Sequence, residues 1–66
     1  MSLFDYQQSK EISKSDPPFA ALIMAAMRKA DSTNFAILCY AFPEIAVEAK
    51  LRYDAPGGLL HDEATQ

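Results

Sequence analysis

Residues that start or stop helices divide this chain at four points. They are Asp16-Pro17-Pro18, Asp31-Ser32-Thr33-Asn34, Pro43 and Ala55-Pro56-Gly57-Gly58. Between these points the apolar residues recur at helical rather than alternating spacing, which is typical of α-helices packed on one another. The sequence therefore predicts an all-α fold: a compact three- to four-helix bundle with a short N-terminal helix and a flexible C-terminal tail.

The length of the chain limits its core. Its 66 residues allow a single helical domain, 1–66, with an ordered core expected at about 16–60. A chain of this size buries only about 60% of its unfolded surface, so its core is marginal without further support. Cys39 is the only cysteine and His61 the only histidine, which excludes an intrachain disulfide and a structural zinc site. Because half of the residues are hydrophobic, we expect self-association to a dimer or larger assembly.

Charge and hydropathy exclude several classes of protein. The net charge is −3 and the six basic residues are scattered, whereas nucleic-acid binding needs clustered cations. The longest apolar run, residues 19–27, is too short to span a bilayer. The first five residues do not resemble a secretory signal. We therefore expect a cytoplasmic protein that binds neither nucleic acid nor membrane.

Two helices are predicted in the first half of the chain. Ser2 and Asp5 fit a capping box before a helix at about residues 3–13, whose Phe4 and Ile12 share a face and would dock it as a lid. Asp16 is the predicted N-cap of the second helix, with Pro17 and Pro18 in its first turn. The apolar stripe of that helix is Phe19, Leu22, Ile23, Ala26, Met27 and Ala30.

The third helix should begin at Asp31, Ser32 or Thr33. Its stripe is Phe35, Leu38, Cys39 and Phe42, and because it is apolar almost all round we expect it to be the most buried element. Pro43 cannot donate a backbone hydrogen bond and disfavours helical geometry at Phe42. The sequence therefore predicts a break, with Pro43 as the first residue of a fourth helix, and the alternative is a kinked continuous helix.

The fourth helix carries apolar residues on two sides. One face holds Ile45, Ala49, Arg52 and Tyr53, and Val47 and Leu51 lie away from it. A helix in a small bundle packs only one face, so we expect the other face to bind a partner. Gly57 and Gly58 supply positive-φ positions that end the helix.

The residues that could carry chemistry have simpler explanations. Cys39 falls in a core stripe, and His61 lies in a polar tail without an acidic or nucleophilic neighbour. Glu44 and Glu48 are four residues apart, a common spacing on a solvated helix, and Glu48 has Arg52 at i+4 as an ion-pair partner. We expect no catalytic residue, no metal site and no cofactor, and hence no enzyme.

The segment from Lys50 to Gly58 supports one alternative. A cation, an aromatic ring and glycine amides in Arg52, Tyr53, Gly57 and Gly58 could hold a nucleotide by stacking and phosphate contacts. The chain would then be an oligomeric binding protein that sequesters a nucleotide signal. The simpler interpretation is a helix C-terminus whose Arg interacts with the helix dipole and whose Tyr packs under the turn.

A longer pattern also links this chain to other proteins. It comprises residues 19–31, Asn34, residues 41–45, Arg52-Tyr53 and residues 55–58, within a similarity that covers about two thirds of the chain. This ALIMAAMRKAD…AFPEI…RY-APGG pattern resembles a family of small all-α proteins encoded by bacteria and their phages or prophages. The family carries no assigned catalytic residues. The resemblance implies an accessory protein that binds host machinery in stoichiometric amounts, including defence systems such as CRISPR.

Together these observations predict a small non-enzymatic binding protein. It would bind and modulate or inhibit a host protein, associate with itself, or do both. The expected contact surface consists of Val47, Leu51, Arg52, Tyr53, Gly57 and Gly58.

Overall fold

The computed structural model describes residues 1–60 and 63, and in them the chain is all-α. Its four helices are α1 (Leu3–Ser13), α2 (Phe19–Lys29), α3 (Ser32–Ala41) and α4 (Pro43–Asp54), followed by a 3₁₀ turn at Pro56–Gly58. The predicted fold class and all four helices are confirmed. The expectations for His61 and for a flexible tail concern residues 61–66, of which the structure describes only Glu63.

Helix α1 stands apart from the other helices. The predicted cap is present, since the Ser2 hydroxyl accepts from the Asp5 amide at 3.2 Å. Within the described residues, however, α1 contacts none of the other helices, so the prediction that it docks as a lid is wrong. Its apolar residues are few and spread around the helix, which leaves no continuous face to pack. This separation helps explain a radius of gyration of 14.1 Å, where a compact chain of this length has about 11 Å.

The junction between α1 and α2 differs from the prediction. Helix α2 begins at Phe19, with Pro18 in an extended N-cap conformation, and Asp16 does not cap it. The reason is steric, because the residue before a proline is disfavoured in helical geometry and Pro17 precedes Pro18. Asp16 adopts a left-handed conformation with φ of 50°, just beyond the end of α1.

The corner between α3 and α4 forms as predicted. The Asp31 carboxylate caps α3 by accepting from the Asn34 amide at 2.8 Å. Phe42 breaks the helix with φ of −129° and ψ of 66°, and Pro43 is the first residue of α4. At this corner the Phe42 ring meets the Phe19 ring edge to face, with centroids 5.6 Å apart. Aromatic pairs of this geometry contribute about 0.5–1.5 kcal/mol beyond their buried area.

The core formed by α2, α3 and α4 is small. These three helices contact one another pairwise, yet Met27, at 5% exposure, is the only buried side chain among those the structure describes. The prediction that α3 is the most buried element is wrong, because Leu38 and Cys39 are only half-buried and Ile37 is exposed. Only the side of α3 that faces α2 and α4 is covered, and α1 does not cover the rest.

No helix in the described residues is both long and apolar enough to cross a bilayer.

Replacing Pro43 with alanine tests the corner. Pro43→Ala restores a backbone donor and relaxes Phe42, so we expect α3 and α4 to join into one helix and the Phe19–Phe42 contact to be lost. Circular dichroism should show unchanged or slightly higher helical content. Sedimentation velocity should show a larger frictional ratio or a domain-swapped oligomer. Pro17→Ala, which alters a proline outside the helices, serves as the control. An unchanged shape and melting temperature for Pro43→Ala would contradict the role given to Pro43.

Candidate binding surfaces

A concave surface lies between α2, α3 and α4, and we call it the central groove. Its volume is about 710 Å³. Its apolar lining residues are Met24, Met27, Phe35, Cys39, Ala46, Val47, Ala49, Tyr53 and Gly58, and its cationic ones are Arg28, Lys50 and Arg52. Ligand pockets have about 300–1,000 Å³ and are predominantly apolar, so this groove has the size and the chemistry of a binding surface.

A second, shallower concavity lies on the other side of α4, and we call it the outer groove. Its volume is about 450 Å³. It is lined by Pro43, Glu44, Val47, Glu48, Leu51 and Leu60. Val47 and Leu51 keep 59% and 53% of their surface exposed, as expected for a helix face that the fold leaves uncovered. Five of the six predicted contact residues therefore lie on two surfaces, with Leu51 in the outer groove, Arg52, Tyr53 and Gly58 in the central groove, and Val47 in both. The sixth, Gly57, lines neither groove.

The side chains considered for catalysis or metal binding are Cys39, Glu44, Glu48 and His61. Within the described residues no three His, Cys, Asp or Glu side chains are grouped as a metal site requires. Cys39 is a free, half-buried thiol in the central groove. Glu48 pairs with Arg52 at 3.4 Å, as the i, i+4 spacing predicts.

Arg52 fastens the C-terminal segment to α4. Its guanidinium donates to the Gly58 carbonyl at 2.8 Å and to both carboxylate oxygens of Glu63 at 2.8 and 3.0 Å. The Glu63 carboxylate also accepts from the Leu60 amide at 3.1 Å. Bidentate pairs of this kind are the strong form of the salt bridge. We call this set of contacts the Arg52 clasp.

The Arg52 clasp gives the nucleotide alternative less support. The guanidinium donors that a phosphate would need already bind Glu63, Glu48 and the Gly58 carbonyl. Tyr53 is 90% exposed and does not pack under the turn as the simpler interpretation expected. Gly57 and Gly58 have positive φ, as predicted, but the Gly58 amide donates to the Ala55 carbonyl at 3.0 Å.

Sequence reasoning missed two parts of these surfaces. Glu63 lies eleven residues from Arg52, a separation that no helical spacing predicts. Phe35 and Met24 form walls of the central groove, although Phe35 was assigned to a core stripe. One sequence signal for the grooves is that the chain has more apolar residues than three helices can cover.

Comparisons with protein-family models, with curated proteins and with solved structures find no match for this chain. The case for function therefore depends on the geometry and on the residues themselves.

The Arg52 clasp generates a prediction about pH. Hydrogen bonds from Arg52 and then from the Leu60 amide lower the pKa of Glu63 from 4.5 to about 2, and the same pairing raises the pKa of Arg52. Because the pKa of Glu63 is lower in the folded state, its carboxylate stabilises the folded chain fully above about pH 4.5. This contribution to the free energy of unfolding is lost as the pH falls toward 2.

An NMR titration checks this pH dependence. Glu63 should titrate near pH 2 in the native protein and near its ordinary value of 4.5 in Arg52→Gln. Lys50→Gln, which removes a cation from the same helix, should leave the Glu63 titration unchanged. A native Glu63 that titrates near 4.5 would show that the clasp does not form in solution.

Proposed function

We propose that this chain is a small non-enzymatic binding protein that acts by burying its exposed apolar side chains against protein partners. The observation that carries the proposal is the mismatch between composition and burial. Half of the residues are hydrophobic, yet Met27 is the only buried side chain among the described residues. Isolated exposed apolar residues are ordinary, but contiguous apolar grooves mark binding surfaces.

The outer groove is the surface proposed for a heterologous partner. Its apolar floor is Val47, Leu51 and Leu60, and Glu44 and Glu48 lie along it on α4. An apolar centre with a charged edge matches the usual anatomy of a protein interface. A partner that fits it presents apolar side chains flanked by Lys or Arg, because their charge complements Glu44, whereas Glu48 is already paired with Arg52.

The resemblance described above supplies the biological setting of the proposal. A small accessory protein of bacterial or phage origin would use this surface to bind a host protein in the cytoplasm and modulate or inhibit it. A defence protein, such as a component of a CRISPR system, belongs to this class of targets.

Leu51→Glu tests the outer groove. Fully burying a leucine contributes about 1.5–3 kcal/mol, so this change should weaken partner binding by about tenfold to a hundredfold. The measurement is capture by the tagged protein from a bacterial lysate, followed by titration of the captured protein. Ile37→Glu is the matched control, because Ile37 is similarly exposed, at 58%, and lines neither groove.

Two results would count against the proposed site. Equal capture by Leu51→Glu and the native chain would place the partner elsewhere. Equal loss with Ile37→Glu would show only that the proteins associate through general hydrophobicity. Circular dichroism must show the same helical content in all three proteins.

A further inference from the structure

The central groove is positively charged although the chain as a whole is acidic. The chain carries nine acidic and six basic residues. Three of the six basic residues, Arg28, Lys50 and Arg52, line the central groove, and none of the described residues that line it is acidic. The rest of the lining is mainly methionine, aromatic and small aliphatic side chains. An occupant that complements this groove is therefore apolar and carries negative charge.

The directions of the helices place the three cations at one end of the groove. Helix α3 begins next to the end of α2 and finishes at Phe42, whose ring contacts Phe19 at the start of α2. Helix α3 therefore runs antiparallel to α2, and α4, which begins at the same corner and contacts both, runs parallel to α2. Arg28 is nine residues beyond Phe19, or about 13–14 Å at 1.5 Å per residue. Lys50 is eight residues beyond Phe42, or about 12 Å, and Arg52 lies further along α4.

The opposite end of the groove is apolar. Cys39 lies three residues before Phe42 on α3, and Ala46 lies four residues after it on α4, so both line the end nearest the corner. Met24 and Val47 also line the groove, and each lies between that end and the cations. The groove is therefore polarised along its length, with apolar walls at one end and positive charge at the other.

Two of the three cations are available to a ligand. Arg52 is already paired with Glu48 and Glu63. Within the part of the chain that the structure describes, Arg28 and Lys50 form no salt bridge, and both are exposed. Long side chains of this kind can lay their stems along apolar surface while their charged ends reach a group at the mouth of a groove.

The nearest acidic residues in sequence do not oppose this charge inside the groove. They are Asp31, three residues after Arg28, and Asp54, four residues after Lys50. Neither of them lines the groove. The Asp31 carboxylate is used to cap α3, where it accepts from the Asn34 amide.

We propose that the central groove binds one molecule of a fatty acid, with the carboxylate at Arg28 and Lys50 and the acyl chain directed toward Cys39 and Ala46. A carboxylate accepts charge-assisted hydrogen bonds from two cations more strongly than from neutral donors. Methionine side chains adapt to irregular apolar shapes, which suits Met24 to a flexible acyl chain. The volume of about 710 Å³ is that of a small-molecule site. This site goes beyond the proposed function, which assigns the outer groove to a protein partner.

Isothermal titration calorimetry with laurate, kept below the concentration at which it forms micelles, tests the site. The native chain should bind laurate saturably, with one molecule per chain. Dodecyltrimethylammonium has an alkyl chain of similar length and the opposite charge. It should bind about tenfold more weakly or less, because its headgroup meets cations instead of complementing them.

Charge reversal at neighbouring cations locates the carboxylate. Arg28→Glu and Lys50→Glu should each weaken laurate binding by about tenfold or more, because each replaces an attraction by a repulsion. Lys29→Glu is the matched control, since Lys29 adjoins Arg28 in the last turn of α2, is also exposed and does not line the groove. All three variants change the net charge equally, so a general repulsion of laurate would affect them alike.

Cys39 locates the acyl chain without any substitution. It is the only cysteine, and it lines the apolar end of the groove. Its rate of alkylation by iodoacetamide, an uncharged reagent that a bound carboxylate does not repel, should fall as laurate saturates the native chain. The same concentration of dodecyltrimethylammonium should slow the reaction much less. This measurement decides the question even if a charge-reversed variant fails to fold.

Each contrary outcome overturns the fatty-acid site. It is overturned if laurate does not bind saturably, or if it binds no better than dodecyltrimethylammonium. An equal loss with Lys29→Glu would show a general charge effect, and an unchanged Cys39 rate would place the acyl chain elsewhere. If laurate fails to bind and a captured protein requires Arg28 and Lys50, an acidic protein segment is the occupant instead.

The fatty-acid site and the proposed function fail separately. Capture of a protein that depends on Leu51 leaves the proposed function standing even if laurate does not bind. Laurate binding that depends on Arg28 and Lys50 leaves the fatty-acid site standing even if capture ignores Leu51, because Leu51 does not line the central groove.

Discussion

The corner at Phe42 and Pro43 determines the arrangement of everything after it. Pro43 has no amide hydrogen, so the helical hydrogen bonds stop with the Phe42 amide, which donates to the Leu38 carbonyl at 2.8 Å. The next bond, from the Ala46 amide to the Phe42 carbonyl at 3.0 Å, belongs to a helix running in a new direction. This turn brings α4 back against α2 and α3. Both grooves lie along α4, so both depend on this corner.

Local chemistry made the helices predictable. The caps at Ser2 and Asp31 and the break at Pro43 each follow from a few neighbouring residues, and the structure has all three. The start of α2 was misplaced for a local reason as well, because two consecutive prolines compete with the cap at Asp16. The docking of α1 and the burial of α3 could not be predicted, because they depend on which helices meet in space. An apolar residue such as Ile37 has the same chemistry whether another helix covers it or not.

The same ambiguity limited what the sequence could reveal about the binding surfaces. Phe35 and Cys39 have the spacing of a core stripe, and a stripe that packs against a second protein has that spacing too. Only the structure shows that these residues line an open groove. Val47 and Leu51 were easier to assign, because an apolar pair off the main face of α4 has no place in the bundle. The Arg52 clasp required Glu63 to fold back, which no periodic pattern encodes.

In a chain with so small a core, the proposed association would be coupled to folding. If covering the apolar grooves supplies burial that Met27 and its neighbours do not, the stability of the helices depends on protein concentration. A substitution in a groove then lowers the melting temperature and weakens binding together, because the same burial supports both. For this reason a control substitution at a surface residue outside both grooves, such as Ile37, is more informative than a melting temperature alone. The interface is defined by the residues whose substitution changes association but leaves the helical content at high concentration unchanged.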